Sequence, residues 1–225
     1  MENFLYWFLI FIIYSFFGWI IETTLVLVKN RKFVNRGFMI GCYCPVYGVS
    51  ALLMIFFLSK YKDDALVLFI LSVFISSSIE YITSYIMEKI FKARWWDYSK
   101  KLFNVNGRIC LVNSLFFGIF GILLICYVHP FISNLVSSLS SEYFYVLSAS
   151  LLTLFIIDFI NSFKITFRLK KSFQNLKKDS TEEISKRVRE ALISSSKMFD
   201  RVLLAFPNFK PLIKKKERKK FPFFK

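Results

Sequence analysis

FLYWFLIFIIYSFFGWIIETTLVLV, residues 4–28, is a stretch of twenty-five residues that carries a single charged side chain, Glu22. A helix rises about 1.5 Å per residue and the hydrocarbon of a bilayer is about 30 Å thick, so roughly twenty apolar residues suffice to cross it. Only Met1, Glu2 and Asn3 precede the stretch, without a basic residue, and it is too long for a signal-peptide core. A retained membrane anchor is expected. Four further runs of spanning length follow at 38–58, 65–87, 109–128 and 143–165. Of the 225 residues 56% are hydrophobic, and they arrive in long runs rather than in alternation, which excludes a soluble fold. The expected architecture is all-α: a polytopic membrane protein with a bundle of about five transmembrane helices. Residues 1–166 form that domain and residues 167–225 a basic amphipathic tail.

The basic residues set the orientation, because loops rich in Lys and Arg stay in the cytoplasm. Four lie in the first loop (Lys29, Arg31, Lys32, Arg36), six in the third (Lys89, Lys92, Arg94, Lys100, Lys101, Arg108) and nineteen from Lys164 onward. The second loop has Lys60 and Lys62 offset by Asp63 and Asp64, and the loop around His129 has none. This alternation predicts the N-terminus outside and the C-terminus in the cytoplasm. The net charge of +16 then reflects topology, and no basic soluble module is visible that would bind nucleic acid.

Glu22, Glu80 and Asp158 each fall inside an apolar run, where an ionised side chain is expensive. Each is six to eight residues from the cytoplasmic end of its run, roughly 9–12 Å deep. Tyr47 and Cys42-Tyr43-Cys44-Pro45 occupy a similar depth on the second run. A polar pocket in the inner leaflet, open to the cytoplasm, is expected. Two roles for the acids stay open and are compatible: lining that pocket, or structural pairing with Arg36, Arg94 or Arg108. Ser15, Gly18 and Glu22 share one helix face, which is expected to point inward, and Glu80, Ser84 and Glu88 repeat at intervals of four down the third run. Pro45 is expected to break the second helix one turn after its start, freeing the carbonyl of Gly41.

In the third loop, Arg94-Trp95-Trp96-Asp97-Tyr98 mixes charges with large rings and is expected to lie along the inner membrane face. Asn104-Val105-Asn106-Gly107-Arg108 reads as a turn. In the tail, Ser180 with Glu183 has the form of a capping box opening an amphipathic helix. The basic run 214–220, followed by Phe221, Phe223 and Phe224, is suited to anionic lipid.

These motifs resemble the family of bacterial membrane proteins described as putative ABC-transporter permeases of type IV. The likeness covers about residues 11–130. It rests on Ser15-Phe16-Phe17-Gly18-Trp19 with Glu22, Asn35-Arg36-Gly37-Phe38, Cys44-Pro45-Val46-Tyr47-Gly48, Glu80-Tyr81 with Glu88, Arg94-Trp95-Trp96-Asp97-Tyr98-Ser99, Asn106-Gly107-Arg108-Ile109-Cys110-Leu111 and His129-Pro130. Cys42 departs from the pattern, which carries proline after the glycine. The resemblance implies a permease-like role. No Gly-x-x-x-x-Gly-Lys loop occurs, so ATP hydrolysis would need a separate ATPase subunit.

The expected function is a permease or transporter component handling a small polar solute or ion. Its expected binding residues are Glu22, Glu80, Asp158, Tyr47, Arg36, Arg94, Trp96, Asp97, Arg108 and Asn106. The alternative is a non-transporting scaffold or regulatory subunit that binds a cytoplasmic partner through the third loop. An enzyme acting on lipid headgroups has less support, because no distinctive nucleophile or acid–base set is present. Neither a cofactor nor a metal site is expected: Cys42, Cys44 and Cys110 read better as small, weakly polar membrane residues than as soft-metal ligands.

Overall fold

The computed structural model describes residues 2–175, 201, 202, 204–206, 210 and 211. The expected tail helix from Ser180 and the basic run 214–220 lie outside them.

The first apolar run forms α1 (Glu2–Asn30) without interruption. Arg31 ends it in the left-handed region (φ 51°), its N–H returning to the carbonyl of Leu27. The third run forms α3 (Ala65–Phe91), started by the Asp64 carboxylate, which accepts from the N–H of Val67 at 3.0 Å. The fourth forms α4 (Leu111–Leu123), a π turn over Leu124–Val128, and α5 (His129–Ser137), which together make one span of 27 residues. Pro130 explains the π turn: it has no N–H to give and its ring crowds the carbonyl four residues back, so the helix widens before it. The fifth run lies in α6 (Ser141–Asn175), which continues as one helix past residue 166.

The second run differs from expectation. Its helix, α2, covers only Pro45–Leu58, extended by a single 3-10 turn over Ser59–Tyr61. Fourteen residues reach about 21 Å, short of a bilayer's hydrocarbon. Pro45 therefore starts the helix instead of breaking it, in the first-turn position where its missing N–H costs nothing. Its ring also keeps Cys44 extended (φ −117°, ψ 93°), and Gly37 has a φ of 147° that side chains avoid, so 31–44 is irregular chain. Among the described residues four helices are thus long and apolar enough to cross a membrane, and α2 is shorter.

One set of helix ends comprises Asn30, Phe91, Leu111 and Asn175 and carries the basic loops; we refer to it as the basic end. Close helix crossings are cut into the sequence by small residues. A Cβ on Gly121 would overlap Ser72 Oγ, so α3 and α4 touch backbone to side chain there. Gly18 faces the Tyr47 ring and Gly48 faces Ser15 in the same way, docking α2 on α1. Away from the basic end, Leu9, Ile10, Tyr14, Met54, Ile55, Leu58, Leu68, Ile125 and Ile132 form the larger core. A second core at the basic end holds Phe91, Ala93, Trp95 and Val202, with Phe38, Phe163 and Phe206 against it. Trp95 is therefore a packing residue, 2% exposed, and not part of an interfacial belt. Phe4, Phe74, Phe131 and Leu154 are among the many large apolar side chains left on the outer surface, as expected of a bundle that faces lipid.

The third loop is a folded cap. Strands β1 (Ala93–Arg94), β2 (Asn104–Val105), β3 (Ile109–Cys110) and β4 (Lys210–Pro211) are two residues each; β2 pairs antiparallel with β3, and β1 with β4 from the tail.

Candidate functional site

Between the two cores lies a cavity of about 670 Å³. Phe, Ile, Leu, Val and Met make most of its wall, and Glu22, Arg36, Tyr47, Ser76, Glu80, Trp96 and Tyr98 are its principal polar groups. Each is placed by a local feature of the chain. Glu22 stands on the Ser15–Gly18 face of α1; Tyr47 fills the space that Gly18 leaves and donates its hydroxyl to Glu22 Oε1 at 2.7 Å. Arg36, in the irregular stretch before α2, reaches Glu22 Oε2 at 3.3 Å. The same guanidinium donates to the carbonyl of Ala205 and lies 5.5 Å from the Phe206 ring.

Glu80 belongs to a stripe of α3 with an interval of four, whose other members, Ser72, Ser76 and Ser84, are buried. Its Oε1 accepts from the hydroxyl of Tyr98 at 3.2 Å, and its Oε2 is buried with no hydrogen-bond partner among the described residues. Burial pushes the Tyr98 phenol far above its ordinary range, and the carboxylates of Glu80 and Glu22 push the same way. Tyr98 is therefore a fixed hydroxyl donor at any biological pH.

Asp158 does not line the cavity. It holds the irregular chain before α2: Oδ2 accepts from the N–H of Gly41 at 2.7 Å and the hydroxyl of Tyr43 at 2.6 Å, and Oδ1 from the N–H of Ile40 at 3.0 Å and Ser162 at 2.8 Å. Trp19 donates to Asn35 Oδ1 and Asn35 Nδ2 to the carbonyl of Ile40, while Arg201 covers the carbonyls of Met39 and Phe38. The N–H of Cys44 donates to the carbonyl of Ser15, halfway along α1. Irregular backbone at membrane depth persists where protein groups take up its hydrogen bonds, and here α1, α6 and the tail do so.

Arg94, Asp97, Asn106 and Arg108 make a separate cluster around Glu88. Arg108 Nη2 lies 2.9 Å and Arg94 Nε 3.4 Å from Glu88 Oε2, with Arg94 Nη1 3.7 Å from Asp97. Arg108 also stacks over Tyr81 and Tyr85, and Asn106 donates to the Tyr81 hydroxyl. Trp96 joins the two groups, lining the cavity while its Nε1 donates to the carbonyl of Arg108. The structure thus brings together Glu22, Arg36, Tyr47, Glu80 and Trp96, adds Tyr98, and assigns the remaining expected residues to the cap and to the α2 approach. Tyr98 stood beside Asp97 in the same motif; its partnership with Glu80, eighteen positions earlier, left no mark in local spacing.

The family model described as "Putative ABC-transporter type IV" matches residues 9–163. The chain belongs to that family. As a type IV member with four long apolar helices, it is a multi-pass membrane protein of a transporter type. The matched region contains every cavity residue on α1, α2, α3 and the cap, and also Asp158, whereas Arg201 and Phe206 lie beyond it. Comparison with curated proteins yields no match, and comparison with solved structures yields none.

Proposed function

We propose that this type IV member is the membrane-spanning component of a transporter and that the cavity beside Glu22 and Glu80 is where its solute passes. The observation that carries the reading is the pair of carboxylates on α1 and α3 facing one 670 Å³ space inside a helical bundle. Acids at this depth are rare unless a pathway uses them. The basic end faces the cytoplasm, by the distribution of Lys and Arg, so the N-terminus is outside and the cavity opens inward. Energy comes from a separate ATPase, and the 214–220 run rests on anionic lipid. The chain performs no covalent chemistry.

Proteoliposomes containing the chain, with any ATPase that co-purifies, would be loaded with a metabolite extract and the released solutes identified by mass spectrometry. Solute efflux above empty liposomes that disappears in Glu80→Gln, with its melting temperature retained, is the expected result. Unchanged efflux in that variant removes Glu80 from the pathway. One observation favours the scaffold reading: Leu102 and Phe103, beside Lys100 and Lys101 at the tip of the cap, are 80% and 79% exposed. A scaffold would release nothing in any variant and would lose a co-purifying partner when Trp96 or Asp97 is changed.

A further inference from the structure

We propose that the cavity binds an amphipathic molecule whose head is a protonated amine with N–H bonds, seated on Glu80. The inference deepens the transport reading and rests on it for the cavity's role.

Among the described residues four carboxylates stand on helices near the basic end, and three of them are matched. Glu22 has Arg36 and Tyr47, Glu88 has Arg94 and Arg108, and Asp158 has two backbone N–H groups and two hydroxyls. Glu80 has one hydroxyl, Tyr98, and a buried oxygen with no partner among the described residues. Buried polar atoms are almost always hydrogen-bonded, so a carboxylate oxygen left over on a cavity wall marks a place for a donor. The arginines around it are already engaged with other acids. An ammonium supplies a positive charge and up to three N–H donors in a small head, whereas a quaternary ammonium has none to give.

The walls fix the rest of the molecule. Phe17, Phe117, Phe120 and Phe163 line the space, and its volume lies in the range of organic ligands rather than of a bare ion. A metal cation would require several oxygens converging on one point. An anion would meet two carboxylates and one arginine that is already paired. Ile20, Ile86, Phe120 and Leu123 line the cavity and are each more than a third exposed, so the space has an open apolar side. An alkyl chain can occupy that side while its head reaches Glu80.

The full-length protein in phosphatidylcholine nanodiscs would be titrated with dodecylammonium, dodecyltrimethylammonium and dodecyl sulfate, following tryptophan emission, since Trp96 is on the wall. Expected are saturable quenching by dodecylammonium, at least tenfold weaker binding of the trimethyl compound, and at least tenfold weaker dodecylammonium binding in Glu80→Gln, with partial recovery in Glu80→Asp. Nanodiscs containing phosphatidylethanolamine separate the two sources of the amine: competition identifies a lipid headgroup, and its absence a free alkylamine. Equal dodecylammonium affinity in wild type and Glu80→Gln overturns the proposal, as does tighter dodecyl sulfate binding that Arg36→Gln abolishes. Amine binding without solute efflux would sink the transport reading and leave this site standing. Efflux of solutes without amine binding would do the reverse.

Discussion

Asp158 accepts from two consecutive backbone N–H groups, a phenol and a serine hydroxyl, which makes it the keystone of the chain leading into α2. Truncation to alanine leaves the Gly41 N–H and the Tyr43 hydroxyl without acceptors, and each such loss costs about 1–3 kcal/mol. Asp158→Ala should therefore lower stability by roughly 3 kcal/mol, near 10 °C in melting temperature for a chain of this size, with Asp158→Asn losing about half as much. Thermal unfolding in detergent checks this, and a change under 2 °C in the alanine variant would show that the contacts contribute little. That the three acids were special was legible in their apolar settings. Their separate tasks were not, because depth along a helix says nothing of azimuth: Asp158 meets other neighbours than Glu22 and Glu80 do.

Among the elements, α2 shows where pattern reading stops. Residues 38–58 are apolar enough to span, and hydropathy does not distinguish a helix of twenty-one residues from seven irregular residues leading into a helix of fourteen. Pro45 held the information, since a proline is as much a first-turn residue as a helix breaker. Pro45→Ala should accordingly change stability by less than about 1 kcal/mol. Gly121→Val should destabilise by about 1–3 kcal/mol or more, because its Cβ has no room against Ser72. Comparing the two melting temperatures tests both assignments; an equal and large loss would restore the proline as a kink. The small-residue face on α1 was readable in advance, since spacings of three and four map directly onto a helix surface.

At the scale of the molecule, the number of apolar runs and the charge of their connecting loops gave away a helical membrane bundle, and the motif likeness over 11–130 pointed to the family whose match spans 9–163. What composition left hidden is the return of the tail: Arg201, Val202 and Phe206 pack against the basic end from some forty residues beyond the matched region. Topology is directly testable. In intact cells a membrane-impermeant maleimide should label Ser140→Cys and not Lys100→Cys, and inverted vesicles should reverse the result, with the parent chain giving the background of the native cysteines. Labelling of both positions from one side would refute the assigned orientation.

The Arg36 guanidinium is shared between the Glu22 carboxylate and the backbone oxygen of Ala205. Were residues 204–206 displaced, that forked group would lose one of its two acceptors and keep the other, an acid within the bundle. The positive charge beside the hollow is thus positioned in part by a residue 42 positions beyond the matched region, and not by the long apolar helices alone.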